Sequence, residues 1–195
     1  MSKTVDFYYD FISPASYLAW TQLIPLCERE GATINYKPML LGGVFKATDN
    51  TSPITNPAKW RWLQDDFSRF AKHYAVPYQL NPHFIFNTIQ AMRGAIWAKS
   101  TNQIEVYNRA MFTAAWTEGK DLSDQNTFCE ILTLADIDPD DLLHATSQPE
   151  IKKALIDATQ EAVEQGVFGA PTFIVDGELF FGQDRLLWVE QALQA

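Results

Sequence analysis

The stretch Val5-Asp6-Phe7-Tyr8-Tyr9-Asp10-Phe11-Ile12-Ser13-Pro14-Ala15-Ser16 decides the fold. Its first seven residues are rich in aromatic strand formers and partly alternate, which predicts a β-strand over residues 5–11 buried on at least one face. The strand signal stops at Ile12-Ser13-Pro14. Ser13 is a good helix N-cap and Pro14 suits the first helical position, so a helix is predicted from there to about Glu30, closed by Gly31. Thr33-Ile34-Asn35-Tyr36-Lys37-Pro38-Met39-Leu40 reads as a second strand. A strand, a helix and a strand in succession make a parallel pair joined by a helical crossover.

After Gly42-Gly43 the character changes. Residues 48–57 are dense in Thr, Asn, Ser, Asp and Pro and mark a loop, after which helical periodicity runs to Gly166. Leu63, Phe67, Phe70 and Tyr74 share one face of a helix that begins after Asn56-Pro57, and Ile104, Tyr107, Met111 and Ala114 share the face of another. Residues 88–99, 124–135, 139–145 and 149–165 supply further helices. Strand sequence returns at Thr172-Phe173-Ile174-Val175. Asp176-Gly177 is a two-residue hairpin turn into Glu178-Leu179-Phe180-Phe181, and a helix over residues 185–193 closes the chain. The order β-α-β, helical insertion, β-β-α is that of an α/β thioredoxin-like fold with an inserted all-helical domain. Residues 1–45 and 166–195 are assigned to the discontinuous thioredoxin-like domain and 46–165 to the insertion.

The 195 residues are 47% hydrophobic and 20% charged, enough apolar material for a sizeable core in one or two lobes. No apolar run approaches the roughly 18 consecutive positions of a membrane span. The N-terminus lacks the succession of basic, apolar and small residues of a secretory signal, so a cytoplasmic protein with no membrane partner is expected. A net charge of −9 argues against a nucleic-acid partner, which draws on clustered Lys and Arg. Cys27 and Cys129 lie far apart in apolar helical contexts and read as buried thiols; His73, His83 and His144 are scattered, so no metal site is expected.

In thioredoxin-type folds the reactive group lies where the first strand meets the following helix, because free backbone N–H groups and the helix dipole favour an anion there. Here that turn is Ser13-Pro14-Ala15-Ser16, with serine at both positions where redox members carry cysteine, so it shuttles no disulfide. The anion site survives, and the Ser13 hydroxyl is suited to donate a hydrogen bond to a thiolate brought in by a ligand. A helix N-terminus contributes up to about 2 kcal/mol; with one hydrogen bond it lowers a thiol from its usual value of about 8.5 by roughly one to two units. The plainer alternative makes Ser13 an N-cap and nothing more.

Gly166-Val167-Phe168-Gly169-Ala170-Pro171-Thr172-Phe173 sets a proline directly before a strand, and Ala170-Pro171 is a candidate for cis geometry. In thioredoxin-like proteins such a loop faces the helix N-terminus, and its backbone pairs with the cysteinyl part of a peptide or of glutathione. An edge-strand proline without a ligand is the alternative. Gly182 ends the hairpin, and Gln183, Asp184 and Arg185 meet a helix start, where backbone N–H groups suit the carboxylate and Asp184 the ammonium of a γ-glutamyl unit. Asp184 equally reads as a helix cap.

These residues together resemble the 2-hydroxychromene-2-carboxylate isomerase family, relatives of the kappa-class glutathione transferases and, more distantly, of DsbA-like oxidoreductases. Asp10 to Ala19, the helix from Lys59 to Tyr74 with Val76-Pro77, Asn87-Thr88, Ala91-Met92-Arg93-Gly94-Ala95, Ala115-Trp116-Thr117-Glu118-Gly119, Val167 to Thr172 and Gly182-Gln183-Asp184-Arg185-Leu186 carry the resemblance over essentially the whole chain. It implies glutathione as cofactor, with Ser13 at the sulfur, Ala170 and Pro171 against the tripeptide backbone and Gly182 to Arg185 on the γ-glutamyl end. Asn56 resembles an asparagine that such proteins use near glutathione and substrate, though Asn56-Pro57 is also a good N-cap pair. Lys46 and Lys59 are candidates for the cation facing a substrate carboxylate. His83 and Asn87 are candidates for the same cavity, with His83 also fitting an exposed loop, and Trp116 reads as core first and pocket wall second.

The mechanism this resemblance implies is addition of glutathione thiolate to an unsaturated 2-oxo acid opened from the cyclic hemiketal, bond rotation and loss of the thiol, giving the trans-benzylidenepyruvate. Family analogy implies a homodimer. A kappa-like transferase that conjugates electrophiles and a non-catalytic, peptide-binding thioredoxin-like module are the rival readings.

Overall fold

A computed structural model describes residues 3–195. Residues 1 and 2, part of the first thioredoxin-like segment and of the N-terminus read for a signal, lie outside the described residues. β1 (Thr4–Tyr9) and β2 (Thr33–Pro38) pair in parallel across α1 (Pro14–Glu30). β3 (Thr172–Val175) and β4 (Glu178–Phe181) complete a sheet ordered β2-β1-β3-β4, with β3 antiparallel to both of its neighbours. Between β2 and β3 lie α2 (Leu41–Ala47), a 3-10 turn at Pro53–Thr55, α3 (Pro57–His73), α4 (Ile89–Ser100), α5 (Ile104–Trp116), α6 (Gln125–Leu134), α7 (Pro139–Ser147) and α8 (Pro149–Glu164). A second 3-10 turn at Gln183–Arg185 leads into α9 (Leu186–Gln194). The chain is thus an α/β thioredoxin-like fold with a helical insertion.

The period-two pattern of β1 divides the interior in two. Val5, Phe7 and Tyr9 point to the larger core with Leu18, Leu23, Phe112, Trp116 and Phe173, and the rings of Phe7 and Phe173 stack at 5.5 Å. Tyr8 points the other way, into a smaller core with Met39, Leu41, Val44, Ala162 and Val167. α8 therefore covers the second face of the sheet, although it belongs to the long insertion by sequence.

Beyond shifts of one or two residues at helix ends, four features differ from the sequence expectation. β1 stops at Tyr9 and not at Phe11, because the Asp10 carboxylate accepts from Ile12 N–H (3.1 Å) and its backbone carbonyl from Ser13 N–H (3.0 Å), turning the chain. β2 ends at Pro38, and Leu40 becomes the N-cap residue of α2. α2 runs through Gly42-Gly43, where the sequence reading places no helix; Leu41 and Val44 anchor it in the smaller core, and tertiary burial overrides the low helix propensity of glycine. The last helix opens with a 3-10 turn, so Asp184 lies inside that turn and is not the cap of α9.

Ser13 caps α1 as expected, its Oγ accepting from Ser16 N–H at 3.1 Å, and Gly31 closes the helix in the left-handed region at φ 62°. At Gly94 the side chain of Tyr107 from α5 lies against the backbone of α4. A Cβ there would overlap the Tyr107 hydroxyl, which is fully buried and donates to Ala91 O at 2.7 Å. Replacing a helical glycine by alanine ordinarily gains about 1 kcal/mol; here the overlap outweighs that gain. Gly94→Ala is expected to destabilise by about 1–3 kcal/mol, read as a lowered urea midpoint with unchanged slope. Cys27 is 3% exposed, and burial pushes its thiol up to about 11. Native protein at about pH 8 should leave Cys27 unalkylated by iodoacetamide, whereas the urea-unfolded chain should be modified there.

Candidate active site

Ser13 is 6% exposed and sits where β1 hands over to α1. Its hydroxyl accepts from Ser16 N–H and donates to Ala170 O at 3.3 Å. Pro14 has no N–H, and among the described residues Ala15 N–H has no acceptor, so one first-turn donor of α1 is free beside Ser13. The turn is braced from behind: Trp116 Nε1–H donates to Phe11 O at 2.8 Å, and the Tyr17 hydroxyl donates to Pro77 O at 2.5 Å.

The Ala170-Pro171 bond is cis. Thr172 Oγ1 donates to Gly169 O at 2.8 Å and holds the loop compact, and the Phe181 ring packs over Gly169, where a Cβ would meet it at 2.6 Å unless the ring moved aside. Among the described residues Ala170 N–H has no acceptor, so the loop presents a free donor next to the Ser13 hydroxyl. Gly182 N–H donates to Pro171 O at 3.0 Å, and Gly182 adopts φ 109°, a region open to glycine. Ser13, Ala170, Pro171 and Gly182 are thus joined by a continuous run of hydrogen bonds and peptide linkages.

The neighbouring residues fall in different places. Gln183 is buried, its carbonyl accepting from the Tyr74 hydroxyl at 3.2 Å; burial, reinforced by Asp184, pushes Tyr74 up to about 12, so it stays a donor at neutral pH. Asp184 accepts from Arg185 at 2.5 Å, both side chains being about half exposed. Asn56 caps α3, its Oδ1 accepting from Ala58 and Lys59 N–H at 3.1 Å, and its Nδ2 makes no hydrogen bond among the described residues. Lys46, Lys59, His83 and Asn87 are exposed. No hydrogen bond among the described residues joins any of them to the Ser13 turn; Asn87 Oδ1 instead accepts from Ile89 N–H at 2.8 Å, and His83 N–H donates to Asn81 Oδ1 at 2.8 Å.

Two partners of the site were not singled out from sequence for it. Asn50 Nδ2 donates to Phe168 O at 2.9 Å, pinning the loop before α3 to the proline loop, and Tyr74 holds the Gln183 turn. Asn50 carries no local signal, since a polar residue in a polar loop predicts only exposure. Tyr74 was legible only as part of an apolar helix face. The rings of Trp60 and Phe84, both half-buried, stack at 5.0 Å, and Phe84 leads on to fully buried Trp116 at 5.9 Å, so an aromatic wall runs from α3 to the back of the Ser13 turn. Among the described residues no helix is long and apolar enough to cross a membrane, and no three His, Cys, Asp or Glu side chains are grouped to hold a metal.

Residues 4–194 match the model of the DSBA-like thioredoxin domain. The chain is 33% identical over 99% of its length, and 99% of the relative's, to a 2-hydroxychromene-2-carboxylate isomerase of Sphingobium xenophagum. It is 29% identical to glutathione S-transferase kappa 1 of Caenorhabditis elegans, over 97% of this chain and 90% of that one. A solved 2-hydroxychromene-2-carboxylate isomerase superposes with a TM-score of 0.90 at 30% identity, covering 98% of this chain and 94% of the other. Full-length similarity of that degree, on the geometry described, places the chain in the DSBA-like thioredoxin-domain family, on the branch of the 2-hydroxychromene-2-carboxylate isomerases and kappa-class glutathione transferases.

Proposed function

We propose that the chain is a glutathione-dependent isomerase of aromatic catabolism. It would convert 2-hydroxychromene-2-carboxylate-type substrates, as small aromatic 2-oxo acids or hemiketals, to trans-o-hydroxybenzylidenepyruvate-type products. The observation that carries this reading is the meeting of the Ser13 hydroxyl, at the start of α1, with the backbone of Ala170. Its family relatives point to an enzyme of the isomerase or transferase kind.

The site fits glutathione on its own terms. A thiol-bearing peptide needs a backbone donor for its cysteinyl unit and a positive dipole for its sulfur, and the free Ala170 and Ala15 N–H groups supply both. Bound glutathione supplies a thiol nucleophile that adds to the unsaturated 2-oxo acid and later leaves, with no net redox change. Ser13 turns its hydroxyl proton from Ala170 O to the sulfur, and the first turn of α1 favours the thiolate. Ala170 and Pro171 hold the tripeptide backbone; Gly182, Gln183, Asp184 and Arg185 hold its γ-glutamyl end, with Asp184 exchanging Arg185 for the ligand ammonium. Asn56 reaches ligand and substrate through Nδ2, Lys46 or Lys59 faces the substrate carboxylate, and His83 and Asn87 line the cavity. The aromatic wall of Trp60 and Phe84 suits a flat aromatic substrate.

In this reading residues 1–45 and 166–195 form the glutathione-holding domain and 46–165 the helical domain over the substrate. The protein works as a homodimer in the cytoplasm, where glutathione is kept reduced.

Purified protein mixed with 2-hydroxychromene-2-carboxylate should convert it, followed by absorbance, only when glutathione is added, and glutathione should not be consumed. A persistent thioether would instead mark a kappa-like transferase, and failure to bind millimolar glutathione in calorimetry a peptide-binding module. Ser13→Ala should lower kcat by about 10- to 100-fold, the equivalent of one hydrogen bond of about 1.5–3 kcal/mol to a charged group. An unchanged kcat would remove Ser13 from the mechanism.

A further inference from the structure

Asp10 is 1% exposed, and its carboxylate joins two chain segments. Oδ1 accepts from Ile12 N–H at 3.1 Å, inside the turn that leads to Ser13. Oδ2 accepts from Leu41 N–H at 2.9 Å, at the first residue of α2, a helix whose own N-cap side chain makes no capping bond. The Thr88 side chain, at the N-cap of α4, lies near enough to help lower the carboxyl's pKa. The backbone carbonyl of Asp10 takes the Ser13 N–H at 3.0 Å.

A carboxylate can accept all of these donors at once; a primary amide offers only one accepting oxygen, and alanine none. Burial pushes the Asp10 carboxyl above the ordinary carboxylate range, and the bonds from Leu41 and Ile12 lower it only in part, so the acid is kept there at a cost. What it gains in return is two backbone donors, one from a loop and one from a helix start. Tyr8 and Met39, close in sequence on either side of this junction, lie in a well-packed apolar core, so filling space there does not call for a charge.

We propose that Asp10 is a positioning residue for Ser13: its carboxylate holds the turn that aims the Ser13 hydroxyl, and ties that turn to the start of α2. The role of the aimed hydroxyl rests on the thiolate reading above, but the positioning is testable without glutathione. In a Cys129→Ser background, Ser13→Cys sets a thiol directly at the start of α1. Its ionisation is then read from the pH dependence of thiolate ultraviolet absorbance and of iodoacetamide alkylation.

With Asp10 intact this thiol should titrate below the ordinary cysteine value. Adding Asp10→Asn should move it upward by about one unit, a tenfold slower alkylation at fixed acidic pH, because the turn loses its aim. A role as a nearby charge alone predicts the opposite sign, since removing a negative charge lowers a thiol's pKa. No change, or a fall, in a variant that still melts cooperatively would overturn the proposal. Should Asp10→Asn fail to fold, Asp10→Ser shortens the side chain so that it no longer reaches both amides; a rise supports the proposal and an unmoved titration overturns it. Failure of the glutathione reading appears separately, as wild-type activity or binding indifferent to glutathione, and leaves this result standing.

Discussion

The hydrogen bond from Ser13 Oγ to Ala170 O joins positions 157 residues apart, and the site exists only because those positions meet. Their meeting is set by the antiparallel register of β1 and β3, in which Tyr8 stands opposite Thr172. Two residues past Tyr8 the chain reaches Asp10 and begins the turn to Ser13; two residues before Thr172 it leaves Ala170. A one-residue slip would carry Phe7 and Tyr9 out of the larger core and Tyr8 into it, so the stacking of Phe7 on Phe173 protects the site's geometry as much as it stabilises the sheet.

An insertion of this length between β2 and β3 costs little in loop closure, because that entropy grows only logarithmically with length. Specific contacts keep it in place. Trp116 and Tyr17 bond across the interface beside the Ser13 turn, Tyr74 holds the Gln183 turn, and Asn50 holds Phe168. The smaller core adds α2 and α8 to the opposite face of the sheet. The two halves of the candidate site are therefore each supported from the insertion as well as from the sheet, and its helices act as structural supports for the thioredoxin-like elements.

Much of this was legible from local pattern. Ser13-Pro14 at the start and Gly31 at the end of α1, Asn56-Pro57 before α3, and Asp176-Gly177 at φ 50° and 86° in the hairpin are short-range signals, because capping and turn geometry depend on neighbours in sequence. α2 was missed because its glycines argue against a helix, and only burial of Leu41 and Val44 argues for one. Asp184 read as a cap or an ammonium partner; its bond to Arg185 depends on a 3-10 turn with no distinctive sequence. Lys46, His83 and Asn87 have residue types suited to a polar ligand, but type alone carries no direction in space.

The amino-acid sequence by itself determined the order of strands and of every helix but α2, the serines where a redox relative has cysteines, and the proline before β3, since each depends on a residue's own conformational limits and near neighbours. Only the tertiary structure decided that Ser13 faces Ala170 and that Asp10 holds the start of α2 behind the turn. Those two contacts span 157 and 31 residues. Their geometry follows from strand register and from which faces are buried together, which no single stretch of chain specifies.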